Sequence, residues 1–183
     1  EGLLDLFTKL EPTRDTIKLE QISRTYLHRA RLMGDTIKMA RAYDRLARIF
    51  NPEQNIAYAD SVIALTKDMN HITYPALGYI IKGYEFGNLN DLKNEFETYL
   101  MAYDLAKQKN NISHELYILD QLTILQVYWG DREEALKRQH ERHNLILSED
   151  YKNLLRKNTR SGLHERIDEV YNNELLYSFR TYV

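Results

Sequence analysis

Gly130-Asp131-Arg132-Glu133-Glu134-Ala135-Leu136 is the stretch on which the fold reading turns. A glycine ends one apolar-periodic run and an aspartate follows as an N-cap. Glu134 then stands three residues further on, and Ala135-Leu136 opens the next apolar run. Gly87-Asn88-Leu89-Asn90-Asp91-Leu92 reads as a looser version of the same junction, with its glycine forty-three residues earlier. Gly34-Asp35 and Asn51-Pro52 punctuate the chain before that. The repeating unit is therefore about forty residues, two helices and two turns. Two short helices cannot bury their apolar faces alone, so several such units have to stack. The expected fold is all-α: a solenoid of antiparallel helical hairpins.

Working outward, Leu19, Ile22, Tyr26, Leu27 and Ala30 put one apolar side on a helix from Thr16 to Met33. Asp35 caps a helix to about Phe50 through Met39, Tyr43, Leu46 and Ala47. Asn51-Pro52-Glu53-Gln54 combines an N-cap, a proline at N1 and a capping-box glutamine, and predicts a helix to Met69. The next runs from His71 to Phe86, with Pro75 tolerated if the true start lies near Thr73 or Tyr74. Leu89–Lys109, Ile112–Trp129 and a helix from Asp131 through Leu147 follow, and Ser148–Lys157 either continues the last of these or forms a separate turn. Residues 157–162 read as a linker. Leu163–Phe179 reads as a final helix that packs on the last hairpin as a cap, since Glu174 interrupts its heptad-like line. The expectation is one domain over 1–183, with a repeat core at 16–148, a C-terminal helix at 163–180, eight or nine helices and no sheet.

Composition sets the bounds on function. Apolar residues make up 43% and charged residues 28%, ordinary for a folded globular chain. A formal charge of -2 without a basic block argues against direct nucleic-acid binding. No window approaches the roughly 18 apolar residues that span a bilayer, so no membrane insertion by this segment is expected. With no cysteine there is no disulfide, thiolate metal site or cysteine nucleophile. His140 and His143 lie three apart but have Arg138 and Arg142 as neighbours and no distinctive third ligand, so no metal or other cofactor is expected. Gly83-Tyr84-Glu85-Phe86-Gly87 lacks the lysine and strand context of a phosphate loop. No catalytic constellation emerges, and the chain reads as a non-enzyme.

What remains is a surface for holding something. In a stack of hairpins the first helices, here 35–50, 71–86 and 112–129, line the concave side. Their candidate ligand- or partner-contacting residues are Arg41, Arg45, Tyr74, Lys82, Tyr84, Glu85, Tyr117, Gln121 and Tyr128. Fourteen tyrosines in 183 residues supply large rigid faces with a polar handle, well suited to gripping a peptide, although each also serves as packing between helices. Arg41 and Arg45, four apart, form a fork for a carboxylate or acidic segment; the plainer alternative is a solvated face beside Asp44. Gly83, four from Tyr79, reads foremost as a point of close helix approach. His28, His71 and His114 recur at roughly one-repeat spacing and read as hairpin-end chemistry.

The junction at Gly130–Leu136 resembles the turn and second-helix start of a tetratricopeptide repeat, with Ala135 at the small position, and Leu92 and Phe96 extend the likeness to the earlier unit. The first helices depart from that pattern, with Ile80 and Thr123 at the small position and Gly83 and Gln126 at the aromatic one. Tyr58–Leu65 and Tyr103–Asn111 resemble divergent repeat proteins common in Bacteroidetes, in which a repeat domain precedes a membrane helix and a DNA-binding or signalling module. The repeated scaffold and the absence of a catalytic constellation lead to a non-catalytic module binding a peptide or protein segment, and the resemblance implies the sensing or assembly part of a larger signalling or transcriptional regulator. The second reading is a homodimerising scaffold with no separate ligand. Localisation stays open between an extracytoplasmic compartment, slightly favoured, and the cytoplasm.

Overall fold

A computed structural model describes residues 2–158. Every regular element among them is helical: α1 (Gly2–Leu10), a 3-10 turn (Glu11–Thr13), α2 (Thr16–Leu32), α3 (Thr36–Leu46), α4 (Pro52–Thr66), α5 (Ala76–Asn88), α6 (Leu92–Gln108), α7 (Ile112–Tyr128), α8 (Arg132–Leu147) and α9 (Glu149–Asn158). The expected linker over 157–162 falls almost entirely, and the capping helix over 163–180 wholly, outside the described residues. Ser148 is extended, so 149–158 is a separate helix rather than a continuation of α8.

One local device recurs at five helix starts. A residue in the left-handed region (Arg14, Gly34, Asn90, Asn110 or Gly130) precedes an acid or amide. That side chain (Asp15, Asp35, Asp91, Asn111 or Asp131) accepts a hydrogen bond from the backbone N–H three residues on, at 2.9 to 3.3 Å. In the last four copies the capping residue's own N–H also reaches back to the carbonyl five residues earlier, on Ala30, Phe86, Ala106 and Gln126. The residue that closes one helix thus leads straight into the cap of the next. Positions 90, 110 and 130 are spaced by twenty, as are 14 and 34, and α2, α6 and α7 each hold 17 residues.

This corrects the sequence reading at one junction. Gly87 does not break the helix; α5 runs on to Asn88 and the left-handed residue is Asn90. A Cβ on Gly87 would lie 2.9 Å from the Glu95 carboxyl, so that glycine makes room for α6 rather than turning the chain. Equivalent turns are therefore forty residues apart, at 90 and 130, instead of forty-three. Other bounds move as well. α3 stops at Leu46 rather than Phe50 and α4 at Thr66 rather than Met69. α5 begins at Ala76, after the cis Tyr74–Pro75 peptide, rather than in the 71–74 stretch.

The chain divides into two compact units, with the division between Leu105 and Ala106 inside α6. In the first unit α1 to α5 pack consecutively and α3 also touches α5. Phe7, Leu19 and Ile22 join α1 to α2; Tyr26, Leu27, Ala42 and Leu46 join α2 to α3. Ala47, Ala59 and Ile81 bring α3, α4 and α5 together, the small alanines allowing the helices to close up. In the second unit α8 packs on α7 and α9 on α8, around Leu116, Ile146 and Tyr151.

The expected close approach at Gly83 is present. A Cβ there would meet the ring of the fully buried Tyr99 at 2.9 to 3.2 Å. Gly83→Ala gains about 1 kcal/mol of helix propensity but forces a well-packed ring to move, a cost of about 1–3 kcal/mol. Urea denaturation of the variant is expected to show a net loss of stability with an unchanged m-value.

Candidate functional site

In the first unit the charge pattern of interest starts from the register of α3. Ala40, Ala42, Asp44 and Leu46 face inward, which turns Arg41 outward and leaves Arg45 half-buried at the margin. Just beyond the helix, Arg48 donates to the Asp44 carboxylate from Nε at 2.9 Å and from Nη2 at 2.8 Å. Arg45 reaches the same carboxylate only at 4.0 Å and lies instead over the Phe7 ring, 5.2 Å from its centroid. Arg41 makes no ion pair among the described residues. Asp44 is thus taken up by Arg48, with Arg45 at the edge of reach and Arg41 outside the pair, which leaves the three-arginine strip net positive.

The field of this strip reaches the turn before α5. His71 Nδ1 accepts backbone N–H bonds from Thr73 at 3.1 Å and from Tyr74 at 3.3 Å, which assigns the imidazole proton to Nε2. Burial, followed by the positive charge of Arg41, holds the His71 pKa below its ordinary value, so the ring is neutral near pH 7. It stacks on Tyr74 with ring centroids 5.2 Å apart. The Tyr74 hydroxyl is pushed well above the usual tyrosine range, first by burial and then by Asp44, while Arg41, Arg45 and Arg48 pull the other way. His71 thus sits in the turn before α5 with both bonds to turn amides, whereas His28 is exposed on α2 and His114 stands in the first turn of α7.

Two of the nine candidates prove to be interior residues. Tyr74, 3% exposed, packs with Ala40 and Val62. Glu85, 5% exposed, accepts from Asn55 Nδ2 and from Asn88 Nδ2, each at 2.9 Å. Asn55 in turn exchanges two bonds with the backbone of Phe50, so this buried set ties the α3–α4 turn to α5. The sequence lists both as concave-side contacts, but Tyr74 packs into the interior just before α5, and α5 itself is covered on nearly every side and leaves only Tyr84 and Asn88 exposed. Lys82 is engaged too, 2.7 Å from Asp60 on α4 and over the Phe86 ring. Arg41 and Tyr84 are the first-unit candidates that face solvent.

In the second unit Tyr117, Gln121 and Tyr128 do share one face of α7, and Ile124 lies between them on the same face. Sequence reading missed Ile124 because an isoleucine on an apolar helix is assigned to the core by default. It also missed two tyrosine–arginine pairs: Arg31 Nη2 donates to the Tyr43 hydroxyl at 2.7 Å and Arg24 Nη2 to the Tyr58 hydroxyl at 3.2 Å. Among the described residues no group of three acidic or histidine side chains is placed to hold a metal, and no helix is long and apolar enough to cross a membrane.

The distinction between surface and interior candidates is measurable. Arg41→Ala is expected to leave the melting curve within error, whereas Glu85→Ala leaves the Asn55 amide underbonded and costs about 1–3 kcal/mol. A second measurement concerns Glu115 on α7, 6% exposed, whose pKa is raised by burial, opposed by Lys107 and reinforced by Glu141. A folded-state pKa above the unfolded one gives stability that is full below the unfolded value and is lost as pH rises through the folded one. Glu115→Gln, which cannot ionise, is therefore expected to melt higher than the parent chain at pH 8 and to converge with it near pH 4. No protein-family model and no curated protein matches the chain.

Proposed function

We propose that this chain is a non-catalytic interaction module of stacked, tetratricopeptide-like helical hairpins that engages a peptide or protein segment carrying acidic side chains. The single observation that carries the reading is the α3 strip, where Arg41, Arg45 and Arg48 have one buried carboxylate among them and Arg41 is exposed and outside any ion pair with a described residue. An exposed guanidinium at a net positive strip favours a carboxylate through a forked, charge-assisted pair. Tyr84, 53% exposed on α5, adds an aromatic face of the kind that anchors peptides. The hairpin reading is supported by the recurring turn device and by packing between consecutive helices. Such a module suits the sensing or assembly part of a larger regulator.

The test uses synthetic peptide libraries of equal length, one rich in Asp and Glu and one rich in Lys and Arg, titrated against the whole chain at two salt concentrations. Acidic peptides are expected to bind preferentially and more weakly in high salt, with Arg41→Ala losing about tenfold in affinity. Equal binding of both libraries, or acidic binding that Arg41→Ala leaves untouched, overturns the reading.

A further inference from the structure

The turn into α5 is closed by a different kind of atom from the other capped helix starts. At α2, α3, α4, α6, α7, α8 and α9 the side chain that accepts the N–H three residues on does so through an Asp, Asn or Ser oxygen. Pro75, directly before α5, makes no side-chain cap bond. His71 takes that part instead, its Nδ1 accepting from the N–H groups two and three residues on, those of Thr73 and Tyr74. Exchanging an oxygen for a ring nitrogen changes the chemistry. An Asn or Ser oxygen takes up no proton near neutrality and a capping Asp does so only in acid, whereas an imidazole nitrogen gains one just below neutral pH. Once protonated, Nδ1 is itself a donor and confronts two other donors.

We propose that His71 is a proton-operated latch on the α4–α5 turn: the neutral ring holds the turn closed, and protonation at Nδ1 releases Thr73 and Tyr74 from it. The release reaches the core, because Tyr74 packs with Ala40 of α3 and Val62 of α4 and its ring stacks on the imidazole. Opening the turn therefore loosens a contact on α3 one residue from Arg41. Among the charges on α3, Arg41 acts on the ring, while Asp44, Arg45 and Arg48 act on Tyr74. On α4 and α5, Asp60 and Lys82 are paired with each other and Glu85 is bonded to Asn55 and Asn88. Lys67 and Asp68, exposed just after α4, are of opposite sign. Burial and then Arg41 hold the ring below its ordinary value of about 6.5, so the latch is closed near neutrality. With the folded-state pKa below the unfolded one, closure is fully favoured above the unfolded value and is lost as pH falls through the folded one. An acid bound at Arg41 relieves one of the two causes and so favours opening; that consequence alone rests on the acid-binding reading.

Thr73 and Tyr74 carry the reporting protons themselves. Amide exchange of the whole chain, corrected for the intrinsic pH dependence of exchange, is expected to show their protection falling about threefold or more between about pH 7.5 and 5. The Lys38 and Gln54 amides, held by Asp35 and Asn51, should keep theirs. His71→Asn supplies an acceptor oxygen that does not titrate, so both amides should stay protected at either pH. His71→Ala should leave them open at both. Arg41→Ala removes one cause of the neutral ring and should raise the midpoint of the His71 titration followed by imidazole NMR. Protection of Thr73 and Tyr74 that is equal at the two pH values in the parent chain overturns the latch. So does a pH dependence that survives in His71→Asn, or a proton found on Nδ1 at the higher pH. A midpoint that Arg41→Ala leaves unmoved overturns the coupling to the α3 strip.

Discussion

Everything described depends on how each helix is made to stop. A helix end leaves four carbonyls and the next start leaves four N–H groups without partners, and two adjacent residues resolve part of both debts at the junctions around 34, 90, 110 and 130. The first adopts a left-handed conformation that turns the backbone back on itself. The second bonds backward through its N–H and forward through its side chain. Only glycine and asparagine occupy the first position at these four junctions, the residues for which that conformation costs least. With the turn so short, α3 returns beside the 17-residue α2, and the 16-residue α8 beside the 17-residue α7. Burial of the apolar stripe then follows from chain geometry.

The cadence lapses between Asp35 and Leu89, and a connected buried set of Asn55 and Glu85 stands there. α3 has only 11 residues, and the α3–α4 and α4–α5 connections lack the left-handed turn. Asn55, bonded to Phe50 on one side and Glu85 on the other, holds this stretch by side chains where backbone turns do it elsewhere. The charge pattern belongs to the same stretch. Arg48, four residues after Asp44, takes up that carboxylate and leaves Arg41 outside the pair.

Legibility in the sequence followed this division. Gly34-Asp35, Asn51-Pro52 and Gly130-Asp131 were readable because each residue there has one strong local reason to be where it is. Asn90-Asp91 was misplaced to Gly87-Asn88 because glycine is the default sign of a turn, while the glycine here answers to Glu95 on another helix. Long-range causes leave no local mark. The same holds for the candidates: Arg41 and Tyr84 face solvent as their spacing implied, whereas Tyr74 and Glu85 were lost to contacts with α3 and α4. Periodicity gives the face of a helix, but not which of its faces a third helix will cover.

Packing between sequence neighbours has a kinetic consequence. Apart from α3 with α5, the described helix pairs are sequence neighbours joined by short connections, so the loop-closure entropy of most contacts is small and low contact order favours fast folding. Among the described residues α1 is tied to α2 through Leu19 and Ile22 and to α3 through Arg45, which lies over the Phe7 ring. Opening α1 therefore uncovers part of α3 as well, so amide protection is expected to weaken over several helices together at this part of the first unit rather than at one helix by itself.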